Sequence, residues 1–272
     1  MAIISISRQV AALGDEVCIK VSEKMGYRFI SRTYIEEKLM KMGFDERKML
    51  KYDERKPGFF ASLSKDRDEY LAHLQLALLE EAETNNVVII GRGAFATFAG
   101  IPNHLSFRVV ADNKIRVDRL MAEKNWTERQ ARNRIDESDT NREGFHKAFY
   151  NVNVEDSTNY NMVINTGIYN EERASNIIVA AVKAAVSQED EKNGMDQILR
   201  MKTAQSFVNK LLFEYKVKVD FLHASIDGNT MVLQGVADSV GIVEQVISIA
   251  RREVKDYEIR SAISVIHDFK QF

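Results

Sequence analysis

Apolar and polar positions alternate along the chain in a repeating succession of short runs and helical stretches. Ile3 to Ile6 is an apolar run that predicts a buried strand, and Glu16 to Met25 has helical spacing with Gly26 as a stop signal. Thr33-x-x-Glu36 has capping-box spacing and opens a predicted helix to about Met42, with Gly43 after it. Lys65 to Glu83 reads as a long amphipathic helix. Val87 to Ile90 predicts a strand ending in the tight loop Gly91-Arg92-Gly93. Leu105 to Val110 predicts another strand, and Asp112 to Asn125 a helix. Thr127-x-x-Gln130 caps a further helix through about Phe149. Met162 to Ile164 is a short strand and Glu171 to Ser187 a closing helix. Strands alternating with helices predict an α/β domain with a parallel sheet.

Ser187 to Gly194 contains no apolar residue and is the predicted linker. Beyond it the rhythm changes. Ile198 to Tyr215 is helical, and Val217 to Ser225 and Met231 to Val236 are strands joined by the turn signal Asp227-Gly228-Asn229. Val240 to Val254 is helical and Ile259 to Ile266 is a last strand. The expected organisation is therefore residues 1–188 as one α/β domain, 189–196 as linker and 197–272 as a small α+β domain of order αββαβ.

Composition narrows the functional classes. The 272 residues carry 38 basic and 40 acidic side chains, a net charge of -2, which disfavours a nucleic-acid coat protein. A single cysteine, Cys18, excludes an internal disulfide framework and a cysteine-cluster metal site. The histidines show no metal-ligand spacing, so no metal ligands are assigned. No apolar stretch reaches the roughly 18 residues of a membrane span, and no targeting signal is read at the N-terminus. A cytoplasmic setting is expected.

Three segments can carry chemistry. The loop Ser7 to Glu16 follows a strand and precedes a helix, the layout that binds phosphate with backbone N–H groups and the helix dipole. It retains one glycine, Gly14, and lacks the G-x-x-x-x-G-K-[ST] pattern, so taken alone it reads more readily as a plain strand-to-helix turn. Arg92, between two glycines at a strand's carboxyl end, is either a fork for phosphate or carboxylate or a surface-loop arginine. Arg116, Arg119, Arg129, Arg132, Arg134 and Arg142 crowd one stretch; Arg119 with Glu123 and Arg132 with Asp136 have the spacing of solvated helix pairs, and Asp118 with Arg119 reads as a surface pair. The same stretch also suits a lid that neutralises a transferring phosphate.

The segments ISISRQ, VVIIGRGA, ARNRIDESDTNR and YNMVINT, in this order, resemble the cytidylate-kinase-like family, with its nucleoside monophosphate kinase P-loop fold, over about residues 1–188. The resemblance implies ATP as phosphate donor, Mg²⁺ as cofactor and a nucleoside monophosphate such as CMP as acceptor. It places Arg8, Ala11, Ala12, Leu13 and Gly14 on the donor phosphates, and Ser31, Arg32 and Arg92 on the acceptor. It places Asp139 and Arg142 in the lid, with Arg132 or Arg134 standing in for a lid arginine that falls at Ile135. Relatives carry an aromatic residue at Val10, glycines at Ala11 and Leu13, a serine at Ala12 and an acidic residue at Gly93. Authentic cytidylate kinases also have a loop lysine that this chain lacks. Those departures gather on the ATP side. They leave a second expectation open: a kinase fold that binds a nucleotide without efficient turnover and serves the C-terminal module. That module, with Gly228-x-x-x-Val232-Leu233-x-Gly235-Val236 ahead of a helix, resembles a BON domain, which implies a protein or phospholipid partner; an unrelated regulatory α+β module is the alternative.

Overall fold

A computed structural model describes residues 2–52 and 65–266. The chain divides into two compact units, Met1–Met195 and Asp196–Phe272.

The first unit is built on β1 (Ile3–Arg8), β2 (Arg28–Ile30), β3 (Val87–Ile90), β4 (His104–Val110) and β5 (Met162–Asn165), all parallel, in the order β2-β3-β1-β4-β5. Every residue of β1 and β3 is buried, as a strand covered on both faces requires. The helices are α1 (Gly14–Met25), α2 (Arg32–Lys41), α3 (Glu46–Tyr52), α4 (Lys65–Glu83), α5 (Ala94–Thr97), α6 (Asn113–Lys124), α7 (Glu128–Tyr150), α8 (Glu171–Ala185) and the start of α9 (Gln188–Asn209), whose residues from Asp196 on belong to the second unit. On one face of the sheet Ile4, Ile6, Val88, Ile90 and Phe107 pack with Val17 and Val21 of α1 and Ala174, Ile178 and Val182 of α8. β1 sits between β3 and β4, so the loops after β1 and β3 open side by side at the carboxyl edge, where such sheets bind ligands.

Local signals explain most helix ends. Gly26 closes α1 at φ 67°, a left-handed conformation that L side chains adopt only at a penalty. Thr127 and Gln130 form the expected reciprocal capping box of α7. At α2 the cap is Ser31, whose side chain accepts from the Tyr34 N–H, and not Thr33; the helix starts at Arg32. The strand β2 and the short helices α3 and α5 have no counterpart in the sequence reading, being too brief to show a period.

The expected linker is helical. Residues 189–196 lie inside α9, whose start is fixed by reciprocal bonds between Ser187 and Asp190. The backbone passes so close to Asn103 at Gly194 that a Cβ there would lie 2.0 Å from Asn103 Oδ1. Among the described residues no helix is long and apolar enough to cross a membrane.

The second unit holds a three-stranded sheet. After a π-helical turn at Lys210–Glu214 come β6 (Val219–Asp227), β7 (Thr230–Ala237), α10 (Val240–Glu253) and β8 (Glu258–Val265). β7 lies central, antiparallel to β6 and parallel to β8. Leu211, Met231, Leu233, Val246 and Ala250 form its core. A bulge between Asp220 and His223 leaves Phe221 at φ 53° and largely exposed.

Candidate functional site

The loop from Gln9 to Leu13 joins β1 to α1. Ala11 and Leu13 both stand at φ 59°, with Ala12 between them outside the positive-φ region. Successive peptide N–H groups in such an alternation form a concave nest for an anion. Leu13 precedes α1 with no side-chain hydrogen bond capping the first turn. Amides of that turn and the positive helix end therefore remain for an outside acceptor. The loop keeps the shape that glycines favour at positions 11 and 13 although neither residue is glycine. Gly14 is needed for another reason: a Cβ there would lie 2.5 Å from Cβ and Cγ of Arg8, whose buried side chain crosses it.

The carbonyls of the loop are held by side chains of α6 and by Thr166, the residue after β5. Arg116 Nε donates to Val10 O at 2.9 Å, Arg119 Nη1 to Ala11 O at 3.0 Å, and Thr166 Oγ1 to Ala12 O at 2.8 Å. Arg116 is 1% exposed and forks onto Asp139, both bonds at 2.8 Å. Asp139, expected in the lid, thus grips the guanidinium behind the loop. Arg119 pairs with neither Glu123 nor Asp118; Thr166 O accepts from it at 2.6 Å. Burial pulls its pKa down, against the opposing charges of Glu16 and Glu171.

Arg92 is fully buried, at φ 56° between Gly91 and Gly93, which also have positive φ. Its Nη2 donates to Glu36 at 2.5 Å and its Nη1 to Tyr70 Oη at 3.1 Å. Arg32 Nε donates to the same Glu36 oxygen at 2.9 Å. The structure therefore brings Arg32 and Arg92 together on one carboxylate, with Ser31 at the adjacent cap. Position 93 has no room for a side chain, because a Cβ would lie 2.1 Å from the Tyr150 ring. Tyr150 donates to Arg92 O at 3.2 Å, and burial raises its pKa to about 12.

The lid residues separate. Arg132 lies on the exposed outer part of α7 and pairs with Glu128 rather than Asp136; Arg134 pairs with Glu137. Arg142 donates to Ser138. Ten residues of helix put Arg132 and Arg142 about 15 Å apart along the axis, so they do not converge on one phosphate. Ile135 is buried among Val117, Leu120 and Ala131, with Val10, Ala11 and Trp126 against them. A lid arginine at 135 would bury its charge there, and the aliphatic Val10 and Ala11 complete the same cluster.

Behind the loop, Arg108 is buried under a cation–π contact with Tyr160, 5.7 Å from the ring centre, and donates to Ser7 Oγ at 3.3 Å and to Glu155. Burial raises the Tyr160 pKa; Ser7 and Arg108 oppose the rise. The sequence gives no site role to Thr166 or Glu36, and places Arg116 and Arg119 only within an arginine-rich stretch suited to a lid, not behind the loop after β1. The spacing of Arg116 and Arg119 on one face of α6 was the available signal for both arginines.

The sequence profile of the cytidylate kinase-like family matches residues 3–168. A cytidylate kinase of Methanocaldococcus jannaschii is 27% identical over 165 residues, covering 60% of this chain and 86% of that protein. The solved structure of an uncharacterized protein from Eubacterium ventriosum, 21% identical, aligns with a TM-score of 0.54 over 68% of this chain and 99% of the other. The parallel five-stranded sheet, the loop between β1 and α1 and the profile match agree, and the chain belongs to the cytidylate kinase-like family.

Proposed function

We propose that the first unit transfers phosphate from ATP, with Mg²⁺, to a nucleoside monophosphate such as CMP. The observation that carries this reading is the loop after β1, which holds an anion-nest conformation at Ala11 and Leu13 ahead of an N-terminus that no side chain caps. Its amides suit the donor phosphates, with Arg8 alongside. Arg32 and Arg92, already converging on one carboxylate, suit an acceptor phosphate that would replace Glu36; Ser31 lies next to them. Arg142, one helical turn from Asp139, is better placed than Arg132 to meet the transferring group. Mg²⁺ supplies charge neutralisation when bound, and in such sites it rests largely on phosphate oxygens and water.

A second reading, nucleotide binding without efficient turnover, is favoured by the missing loop lysine and by the engagement of Asp139 with Arg116 and of Arg92 with Glu36. Incubation with Mg²⁺-ATP and a panel of nucleoside monophosphates, following diphosphate formation, together with calorimetric titration of Mg²⁺-ATP, separates the two. Turnover with one base supports the kinase; ATP binding without turnover supports the second reading; absence of both refutes each. For the second unit, the order α-β-β-α-β supports the BON-like resemblance, and we assign it a protein or phospholipid partner. Vesicle and partner co-sedimentation of the full chain tests that assignment.

A further inference from the structure

Non-glycine residues in the left-handed region carry a penalty, and two of them within three positions persist only where the surroundings over-determine the backbone. Here the surroundings are specific. The carbonyls of Val10, Ala11 and Ala12 are taken one after another by Arg116, Arg119 and Thr166. In a trans peptide the C=O of one residue and the N–H of the next point in opposite directions. Pinning these three carbonyls therefore turns the N–H groups of Ala11, Ala12 and Leu13 the other way. One of them, Ala12 N–H, closes a turn onto Gln9 O at 3.3 Å.

The pins are themselves fixed. Arg116 is locked by its Asp139 fork and by Asn113 Oδ1 at 2.9 Å, and Arg119 by two bonds to Thr166. Thr166 Oγ1 also lies 3.2 Å from Val110 O at the end of β4. The chain from α7 to the loop thus runs Asp139, Arg116, Val10.

We propose that Arg116 and Arg119, with Thr166, are positioning residues for the donor phosphates, holding by side-chain bonds the loop shape for which relatives use glycines. Asp139 couples the lid helix to that loop. This rests on the reading that the loop receives the donor phosphates.

The test compares the full-length wild type with Arg116→Lys and Arg119→Met, each alone and each also carrying Ala11→Gly and Leu13→Gly. Lysine keeps a charge at 116 but cannot serve Asp139 and the Val10 carbonyl together in the arginine's geometry. Loss of one charge-assisted bond predicts Mg²⁺-ATP affinity about tenfold weaker by calorimetry, with CMP affinity unchanged. Hydrogen exchange of the peptide spanning residues 9–16 is expected to accelerate. The glycine pair is expected to restore most of the ATP affinity, since glycine tolerates the shape without the pins. A merely structural arginine would not be rescued by two flexible residues. Unchanged exchange in both arginine variants, or no rescue by the glycines, overturns the proposal. If wild type binds no Mg²⁺-ATP, the phosphate reading falls, and the donor-positioning proposal falls with it. If wild type binds ATP and the arginine variants bind it equally well, the phosphate reading stands and only the proposal fails.

Discussion

Replacing Gly93 by alanine should destabilise the first unit by about 3 kcal/mol, and the structure sets that figure. The residue sits at φ 69°, where an L side chain loses about 1–2 kcal/mol. Its new Cβ would stand 2.1 Å from Cε2, 2.4 Å from Cζ and 2.7 Å from Oη of Tyr150. That ring cannot step aside freely. Its hydroxyl donates to Arg92 O at 3.2 Å and accepts from Thr97 at 3.3 Å, and Phe145 lies 6.2 Å away centroid to centroid. Overpacking of this kind costs about 1–3 kcal/mol, while the lost freedom of glycine in the unfolded chain returns about 0.4–1 kcal/mol. Urea unfolding followed by Trp126 fluorescence reads this unit, because the chain has one tryptophan and it lies against the α6–α7 cluster. In a Tyr150→Ala background the steric part should vanish, leaving about 1 kcal/mol. A Gly93→Ala change under about 0.5 kcal/mol, or equal changes in both backgrounds, would refute the reasoning. Gly93→Asp, which installs the acidic residue of relatives, should fail in the same way.

Three further outcomes are expected. His104 is buried against Ser5 Oγ at 2.7 Å, and burial lowers its pKa to about 4. Its folded pKa lies below the unfolded value near 6.5, so stability is complete above that value and falls by up to about 3 kcal/mol as pH drops toward 4. A His104→Gln variant should lose less stability than wild type between pH 7 and pH 4.5, and an identical loss counts against the claim. Glu36→Gln removes the carboxylate that Arg32 and Arg92 share, so CMP should bind more tightly by calorimetry; weaker binding would remove Glu36 as a competitor for the acceptor site. Ile135→Ala should cost about 2–4 kcal/mol because the side chain is 3% exposed in the α6–α7 cluster, and a urea midpoint within error of wild type would contradict that packing.

Where information is local, the sequence alone determined the outcome. The buried runs at β1 and β3, the Gly26 stop, the Thr127 capping box and the Asp227–Gly228 hairpin each follow from neighbours a few residues apart, because strand period, caps and turns are short-range chemistry. Resemblance in several short motifs carried the P-loop kinase fold. The polar segment 189–196 does contain the division between the two units, but its helical form was not legible, since exposure on a helix and exposure in a linker select the same residues. Only the tertiary structure decided how the candidate site is wired. Arg116 meets Asp139 across 23 positions, Arg92 meets Glu36 across 56, and Thr166 meets Ala12 across 154. An arginine can pair with any carboxylate or carbonyl that the fold brings within reach, and composition holds no record of which. The left-handed backbone at Ala11 and Leu13 has the same origin: local preference disfavours it, and bonds from distant elements impose it.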